Sequence, residues 1–209
     1  MCHKLTLSPE RGIKREMHSY SSVSTSKALS THIAYAREDE ELVETLVEKH
    51  LYLLYQAGLA KFDYRIEPGA DFKSVIQSRL MSSDVILLMI SPDSISSKYF
   101  WGTEMQTALS RHEASEAVVI PVLLRHVDWS DAPFSKLQVL PRNQRPLTSW
   151  SDRDQAFSEI SSEIREFIKS FLDKKERLKI YRLFFEKKSK KITLFPQKPK
   201  KFLLRSDLN

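Results

Sequence analysis

The chain has 209 residues, enough for one sizeable domain with some chain left over, and its 41% hydrophobic and 29% charged residues are typical of a globular protein. The single cysteine, Cys2, excludes a disulfide framework and a thiolate metal site, so a cytoplasmic setting is the default expectation. No apolar run approaches the roughly 20 residues of a membrane span, and the N-terminal residues lack a signal-peptide core, so we expect neither a transmembrane segment nor a secretory leader.

The net charge of +6 is distributed unevenly along the chain. From Asp173 to the end there are 13 Lys and Arg against 4 Asp and Glu, a net charge of +9, whereas the preceding residues carry a net charge of −3. Binding to nucleic acid or to an anionic surface would therefore be a property of this basic tail and not of the core. The alternative is that the tail, residues 173–209, is a solubilising or disordered segment.

The predicted elements begin after a polar N-terminal arm. Residues 1–30 lack apolar periodicity and predict disorder. A short strand is then predicted at 31–35, and apolar residues at helical spacing predict a helix from Glu38 to Ala57, with Gly58 as its C-cap. A second short strand at 61–65 is followed by a turn at IEPGAD and a short helix at FKSVIQSRLM.

Two continuous apolar runs, VILLMI (85–90) and AVVIPVLL (117–124), predict strands that are covered on both faces. A helix that contains Glu104 lies between them, and PLTSW (146–150) is a weaker candidate for a fifth strand. The last helix is predicted from about Asp152 to Leu172, with the tail extending it or disordered. Since strands and helices alternate, we expect an α/β domain whose sheet is mainly parallel and has helices on both faces.

Glu104 has an unusual set of neighbours for a helical glutamate. Ligands of open α/β sheets bind outside the carboxyl ends of the strands, and the early turns of this helix can face that crevice. A surface glutamate usually has Lys or Arg three or four residues away, but the residues at those spacings are Phe100, Trp101, Thr107 and Ala108. Glu104 is therefore either an ordinary exposed residue or one that faces a ligand.

Several other chemistries lack the motifs that they require. With four glycines the chain has no Gly-rich phosphate-binding loop, and it has no GxSxG nucleophile elbow. The segment RHEASEA lacks the HExxH spacing of a zinc helix, and the six histidines show no ligand spacing. We expect no metal site and no resident cofactor.

Five segments, in order, resemble a bacterial TIR (Toll/interleukin-1 receptor) domain between Thr31 and Leu172. They are IAYAREDE, RIEPGADF, SSDVILLMISPDSISSKYF, EMQTALSRHEASEAVVIPVLLRHVDW, and FSKLQVLP with PLTSWSDRDQAF. The resemblance implies a flavodoxin-like three-layer sandwich with a five-stranded, mainly parallel sheet in the order 2-1-3-4-5. The arm at 1–30 and the tail at 173–209 lie outside it.

Members of this family either bind one another as signalling scaffolds or cleave NAD at the nicotinamide–ribose bond. In the enzymes the essential glutamate lies in the helix after the third strand, commonly four residues after Trp or Cys. Glu104 matches that position, with Phe100 in the place of the Trp or Cys. The resemblance therefore implies that Glu104 is catalytic, that NAD is the substrate, and that the protein acts in immunity-type signalling or virulence. One carboxylate is sufficient, because cationic nicotinamide needs no acid in order to leave.

Position at the carboxyl ends of the strands, together with the resemblance, gives further candidate substrate-binding residues. The candidates are Arg37, Asp39, Tyr64, Arg65, Phe100 and Trp101. Arg37 and Asp39 have an alternative role, which is to cap and charge the start of the first helix. Phe100 and Trp101 have the alternative role of packing in the core or at its rim.

The loop after the second strand corresponds to the BB loop of the family, which mediates self-association or contacts with other TIR domains. Its residues here are Ile66, Glu67, Pro68, Gly69, Ala70 and Asp71. Pro68 and Gly69 suit the second and third positions of a type II turn, and such a turn is compatible with a functional loop. A catalytically weak scaffold is the alternative to the enzyme, and nucleic-acid binding through the tail is the least favoured of the three.

Overall fold

The computed structural model describes residues 28–193, with side chains described for residues 28–183. Residues Thr25–Leu172 form one compact unit, and Asp173 begins the part of the chain assigned to a second. Most of the predicted N-terminal arm, and the part of the predicted tail that follows Thr193, lie outside the described residues.

The centre of the first unit is a parallel sheet of four strands. They are β1 (Leu29–Ala34), β2 (Ala60–Asp63), β3 (Val85–Ile90) and β4 (Val118–Leu123), in the order β2-β1-β3-β4. Every residue of β3 is buried, as its continuous apolar run predicts for a central strand that is covered on both faces. The parallel α/β architecture expected from the sequence is therefore confirmed.

β1 begins earlier than predicted. Leu29 is fully buried, and its N–H donates to the carbonyl of Leu59 at 3.0 Å. The ordered strand thus starts two residues before Thr31, because an apolar residue is available to extend the core.

The prediction of a fifth strand at 146–150 is wrong. Leu147–Ser149 forms a short 3-10 turn, and the edge of β4 is instead met by Leu140 in an isolated parallel bridge. Pro141 follows this bridge directly and Pro146 opens the turn. Since proline has no N–H to donate to a ladder, the segment cannot continue as a regular strand.

Six helices alternate with the strands. They are α1 (Glu40–Thr45), α2 (Tyr52–Gln56), α3 (Phe72–Ser82), α4 (Pro92–Ser96), α5 (Gln106–Glu113) and α6 (Arg153–Thr193). A 3-10 turn at Arg37–Asp39 precedes α1, and π-helical segments at Leu46–His50 and Phe100–Met105 lie before α2 and α5. α6 continues well past the predicted end at Leu172.

The predicted cap at Gly58 is confirmed. Gly58 has φ +65°, and its N–H donates to Tyr55 while the N–H of Leu59 donates to Leu54. These two bonds form a Schellman motif, which satisfies the last carbonyls of α2 and turns the chain towards β2.

Alternate side chains of β3 enter two separate apolar layers. Leu87 packs in a cluster with Val43 of α1 and Ile160 of α6. Leu88 packs in a second cluster with Leu80 of α3. The sheet therefore lies between two helical layers, and this three-layer arrangement leaves the carboxyl ends of the strands open to form a site.

Candidate active site

A cavity of about 700 Å³ opens at the carboxyl ends of the strands. Its walls come from the end of β1 and the following loop, the loop after β2, α3, and the chain from α4 to the π-helical segment. The chemically relevant lining residues are His32, Tyr35, Arg37, Glu38, Glu40, Tyr64, Arg79, Asp93, Tyr99 and Glu104. The cavity lies in the crevice where the sequence predicts a ligand.

Glu104 lies on the wall of this cavity and is only 4% exposed, so it is not an ordinary surface glutamate. It belongs to the π-helical segment Phe100–Met105, and such segments occur frequently at functional sites. Burial raises the pKa of its carboxyl group to about 7. Close to neutral pH this side chain can therefore exist as an acid or as a carboxylate.

The side chain of His32 lies beside that of Glu104. Its Nε2 lies 4.0 Å from Oε1 of Glu104, and its Nδ1 lies 3.2 Å from the carbonyl oxygen of Asp63. Burial, with a smaller contribution from the charge of Arg79, lowers the pKa of His32 to about 4. His32 was not predicted from the sequence, although a histidine within the otherwise apolar end of a strand was a usable signal.

Arg79 is a second lining residue that was not predicted from the sequence. It projects from α3, and its Nη2 donates to the backbone carbonyl of Arg65 at 2.6 Å. With Arg37 it gives the cavity two guanidinium groups. Arg79 follows the BB loop by about two helical turns, and only the fold brings that face of α3 to the cavity.

Three of the predicted substrate-binding residues line the cavity. They are Arg37, Tyr64 and Phe100. Phe100 is only 1% exposed and also packs in the core, so both roles considered for it are present. The hydroxyl of Tyr64 donates to Glu48 at 2.7 Å, and burial together with this bond raises the pKa of Tyr64.

Asp39 does not line the cavity, contrary to its predicted role. It is 1% exposed, its Oδ1 lies 2.9 Å from Nε of Arg125, and its Oδ2 accepts a hydrogen bond from Ser91 at 2.5 Å. Arg125 also pairs with Asp93. Asp39 therefore joins the ends of three strands and has no free face for substrate.

Arg65 and Trp101 also lie outside the cavity lining. Arg65 turns outward because two carboxylates attract it, with Nη2 2.6 Å from Glu44 and Nη1 2.9 Å from Glu48. Trp101 is half-buried and packs against the core on the α3 and α5 side. The substrate-binding prediction for these two residues is therefore not supported by their positions.

The BB loop contains the predicted type II turn. The N–H of Ala70 donates to Glu67 at 3.1 Å, and Gly69 has φ +85°. Ile66 lines the cavity, whereas residues 67–71 are exposed. The side chain of Ser74 donates to Asp71, and this bond lowers the pKa of Asp71. The loop thus has a defined shape at the rim of the site.

A sequence model of the TIR domain family matches residues 32–161, which is more than half of the chain. The chain belongs to the TIR domain family. An uncharacterized protein, y4lF, from the bacterium Sinorhizobium fredii is 41% identical over 139 residues, covering 66% of this chain. The match spans 43% of the length of that relative.

Solved TIR domains are similar to this chain at lower identity. The TIR domain of the Toll-related receptor TRR-2 from Hydra magnipapillata is 22% identical, with 66% of this chain and 97% of that chain covered and a TM-score of 0.46. The TIR domains of the activated Roq1 resistosome, which recognizes the pathogen effector XopQ, are 15% identical, with 66% and 99% covered and a TM-score of 0.46.

Two features are absent from the described residues of this TIR domain protein. Within residues 28–193, no helix is both long enough and apolar enough to cross a membrane. The same part of the chain contains no group of three or more His, Cys, Asp or Glu side chains arranged to hold a metal ion.

Proposed function

We propose that this TIR domain cleaves NAD at the nicotinamide–ribose bond, as a hydrolase or a cyclase, with Glu104 as the catalytic carboxylate. The observation that carries the proposal is a buried carboxyl group of raised pKa on the wall of a cavity of about 700 Å³. Burial of an ionisable group in a cleft of this size is typical of a functional site.

Cleavage of the nicotinamide–ribose bond requires a single carboxylate. The bond from the ribose C1′ to the nicotinamide nitrogen breaks, and its electron pair neutralises the pyridinium. Positive charge develops on the ribose, and the carboxylate of Glu104 stabilises it electrostatically in a site from which much of the water is excluded. Water, or a nucleophile of the same dinucleotide in a cyclisation, then attacks C1′ and loses a proton.

The charges of the other lining residues favour a dinucleotide. Arg37 and Arg79 line the same cavity as Glu104, and guanidinium groups form charge-assisted, bidentate hydrogen bonds with phosphate oxygens. A diphosphate held by these arginines would leave the ribose to approach Glu104. Phe100 contributes an apolar wall suited to a ring.

Nicotinamide release from NAD by concentrated pure protein tests the proposal, with Glu104→Gln as the critical variant. Removing one preorganised electrostatic group is expected to lower the rate roughly 10²–10³-fold. Glu113→Gln is the matched control, because Glu113 is exposed at the end of α5. Equal release by the parent and Glu104→Gln would refute the assignment of Glu104.

A scaffold that acts through TIR–TIR contacts is the second candidate. The shaped and exposed turn at residues 67–71 favours it, because these residues contribute nothing to the cavity lining. Self-association of the parent without any nicotinamide release, even at high protein concentration, would establish this function in place of the enzyme.

A further inference from the structure

His32 and Glu104 form a buried pair at the wall of the cavity, and this pair bears on where the proton of the Glu104 carboxyl group is held. Both side chains are almost fully buried, with 3% and 5% of the side-chain surface exposed. Nε2 of His32 is buried and has no hydrogen-bond partner among the described residues. An unpaired buried polar atom is costly, and here it lies beside the carboxyl group that the proposed reaction uses.

The contact with Asp63 determines which nitrogen of His32 carries the proton. A backbone carbonyl can only accept a hydrogen bond, so Nδ1, 3.2 Å from the oxygen of Asp63, is the protonated nitrogen. Burial and the charge of Arg79 keep the ring neutral near pH 7. Nε2 is therefore an acceptor, and it lies 4.0 Å from Oε1 of Glu104.

An acceptor in this position distinguishes the two forms of Glu104. A carboxylate oxygen and an imidazole lone pair repel each other, whereas a protonated carboxyl group can donate to Nε2. The distance of 4.0 Å is longer than a hydrogen bond, so this donation requires the Glu104 side chain to rotate towards the ring. Once in hydrogen-bond contact, His32 would favour the acid form of Glu104 in addition to the effect of burial.

We propose that His32 is a positioning residue that accepts a hydrogen bond from the protonated carboxyl group of Glu104, so that the two side chains bind and release one proton as a unit. Its catalytic consequence rests on the proposed NAD cleavage, whereas the pair itself can be tested without any turnover. Arrival of the cationic nicotinamide riboside favours the carboxylate and expels the proton from the pair. A neutral dihydronicotinamide ring would not expel the proton, because it carries no positive charge.

Other ionisable groups surround the pair. Tyr99 is next to Glu104, whose charge contributes, after burial, to raising the pKa of Tyr99. Arg79 faces His32, and the remaining titratable or charged residues that line the cavity are Tyr35, Arg37, Glu38, Glu40, Tyr64 and Asp93. Within the described residues, His32 is the only Lys, Arg or His side chain with a nitrogen within 4.0 Å of the Glu104 carboxyl group, so it is the residue whose removal acts most directly on that proton.

Nitrogen-15 spectra of the histidine rings in the full chain test the pair directly. We expect Nε2 of His32 to resonate as an unprotonated ring nitrogen near neutral pH and to shift with a midpoint near about pH 7 as Glu104 titrates. In Glu104→Gln that shift should be absent. A protonated Nε2 in the parent, or the same titration in Glu104→Gln, would overturn the proposal. Assignment uses the signals lost in His32→Phe, or in His32→Leu if the first variant does not fold.

The pH dependence of nicotinamide release tests the catalytic consequence. Without the acceptor, the carboxyl group loses its proton more readily, so His32→Phe should move the acidic limb of kcat/KM down by about one pH unit. His126→Phe, at an exposed histidine, should leave the limb in place. If the acidic limb of kcat/KM has the same midpoint in His32→Phe as in the parent, His32 only packs the core. If the parent releases no nicotinamide, the proposed function fails, and the spectra still decide whether the pair exists.

Discussion

Arg125 reaches from the end of β4 to the buried carboxylate of Asp39, with Nε 2.9 Å from Oδ1. Asp39 has 1% of its side-chain surface exposed, so the loss of its cation would leave a charge in the interior. Arg125 is one-third exposed, which moderates the effect, and we expect Arg125→Met to lower the free energy of unfolding by about 2–4 kcal/mol. Urea denaturation monitored by circular dichroism measures it.

The matched control is Arg142→Met. Arg142 pairs with Glu166 at 3.7 Å, and both side chains are more than 60% exposed. A pair of this kind contributes about 0–1 kcal/mol. Equal stability losses for Arg125→Met and Arg142→Met would show that the buried contact with Asp39 is not what holds the strand ends together.

Glu104 should make the stability of the protein depend on pH. Its pKa is about 7 in the folded protein against an ordinary value of 4.5, so the folded state binds the proton more tightly. The stabilisation is complete below about pH 4.5 and is lost as the pH rises through 7. Glu104→Gln cannot lose a proton, so at about pH 8 its free energy of unfolding should exceed that of the parent by roughly 1–3 kcal/mol. Urea denaturation measures this difference.

The same variant near about pH 4 provides the control, since there the parent carboxyl group is protonated and the difference should nearly vanish. A stability difference that stays constant from acidic to alkaline pH would contradict the raised pKa. An ordinary exposed helical glutamate, the alternative that the sequence left open, would instead shift stability by under about 0.5 kcal/mol at any pH.

Gly69 should control self-association through backbone shape alone. Its φ of +85° is strained for any other residue, and a Cβ added there would meet no atom within 4 Å. Gly69→Ala should cost about 1 kcal/mol and reshape the turn, weakening TIR–TIR contacts measured by sedimentation. Gly58→Ala is the matched control. Gly58 also has a positive φ, +65°, and a Cβ added there would also meet no atom within 4 Å, but this residue lies outside the BB loop. Equal association of both variants and the parent would exclude the loop from the interface.

Arg79 and Arg65 should differ in their effect on NAD binding, although the sequence favoured Arg65. Arg79 lines the cavity, whereas Arg65 pairs with Glu44 and Glu48 outside it. Losing a hydrogen bond to a charged group costs about 1.5–3 kcal/mol, so Arg79→Met should raise the KM for NAD roughly 10- to 100-fold. Arg65→Met should leave KM within about twofold. The reverse order would mean that the substrate approaches from the outer face of the BB loop.

The strands that the sequence identified well are those whose burial leaves a simple pattern. The continuous apolar run at 85–90 predicts a strand buried on both faces, and the structure confirms it. The prediction of a strand at PLTSW was wrong because the prolines around it remove backbone N–H donors that an edge strand needs. The turn at Pro68 and Gly69 succeeded because its local geometry depends on those two residues and on little else.

The site was harder to predict because its properties arise from tertiary contacts. Nothing local to Glu104 indicates that the helix buries it, and the missing cation neighbours were compatible with either answer. The tautomer of His32 depends on a carbonyl from a different strand, 31 residues away in the chain. Asp39 was assigned to substrate because it follows the carboxyl end of the first strand, whereas its partner Arg125, which occupies its carboxylate, follows β4 and is 86 residues away in the chain.

The π-helical stretch Phe100–Met105 makes the register of the site sensitive to a single insertion or deletion. A π-helical turn accommodates one residue more than an α-helical turn, and each helical residue rotates the chain by about 100°. Deleting one residue from this stretch should return it to α-helical geometry and change the direction in which Glu104 projects, so the length of the stretch is part of what places the carboxylate on the cavity wall.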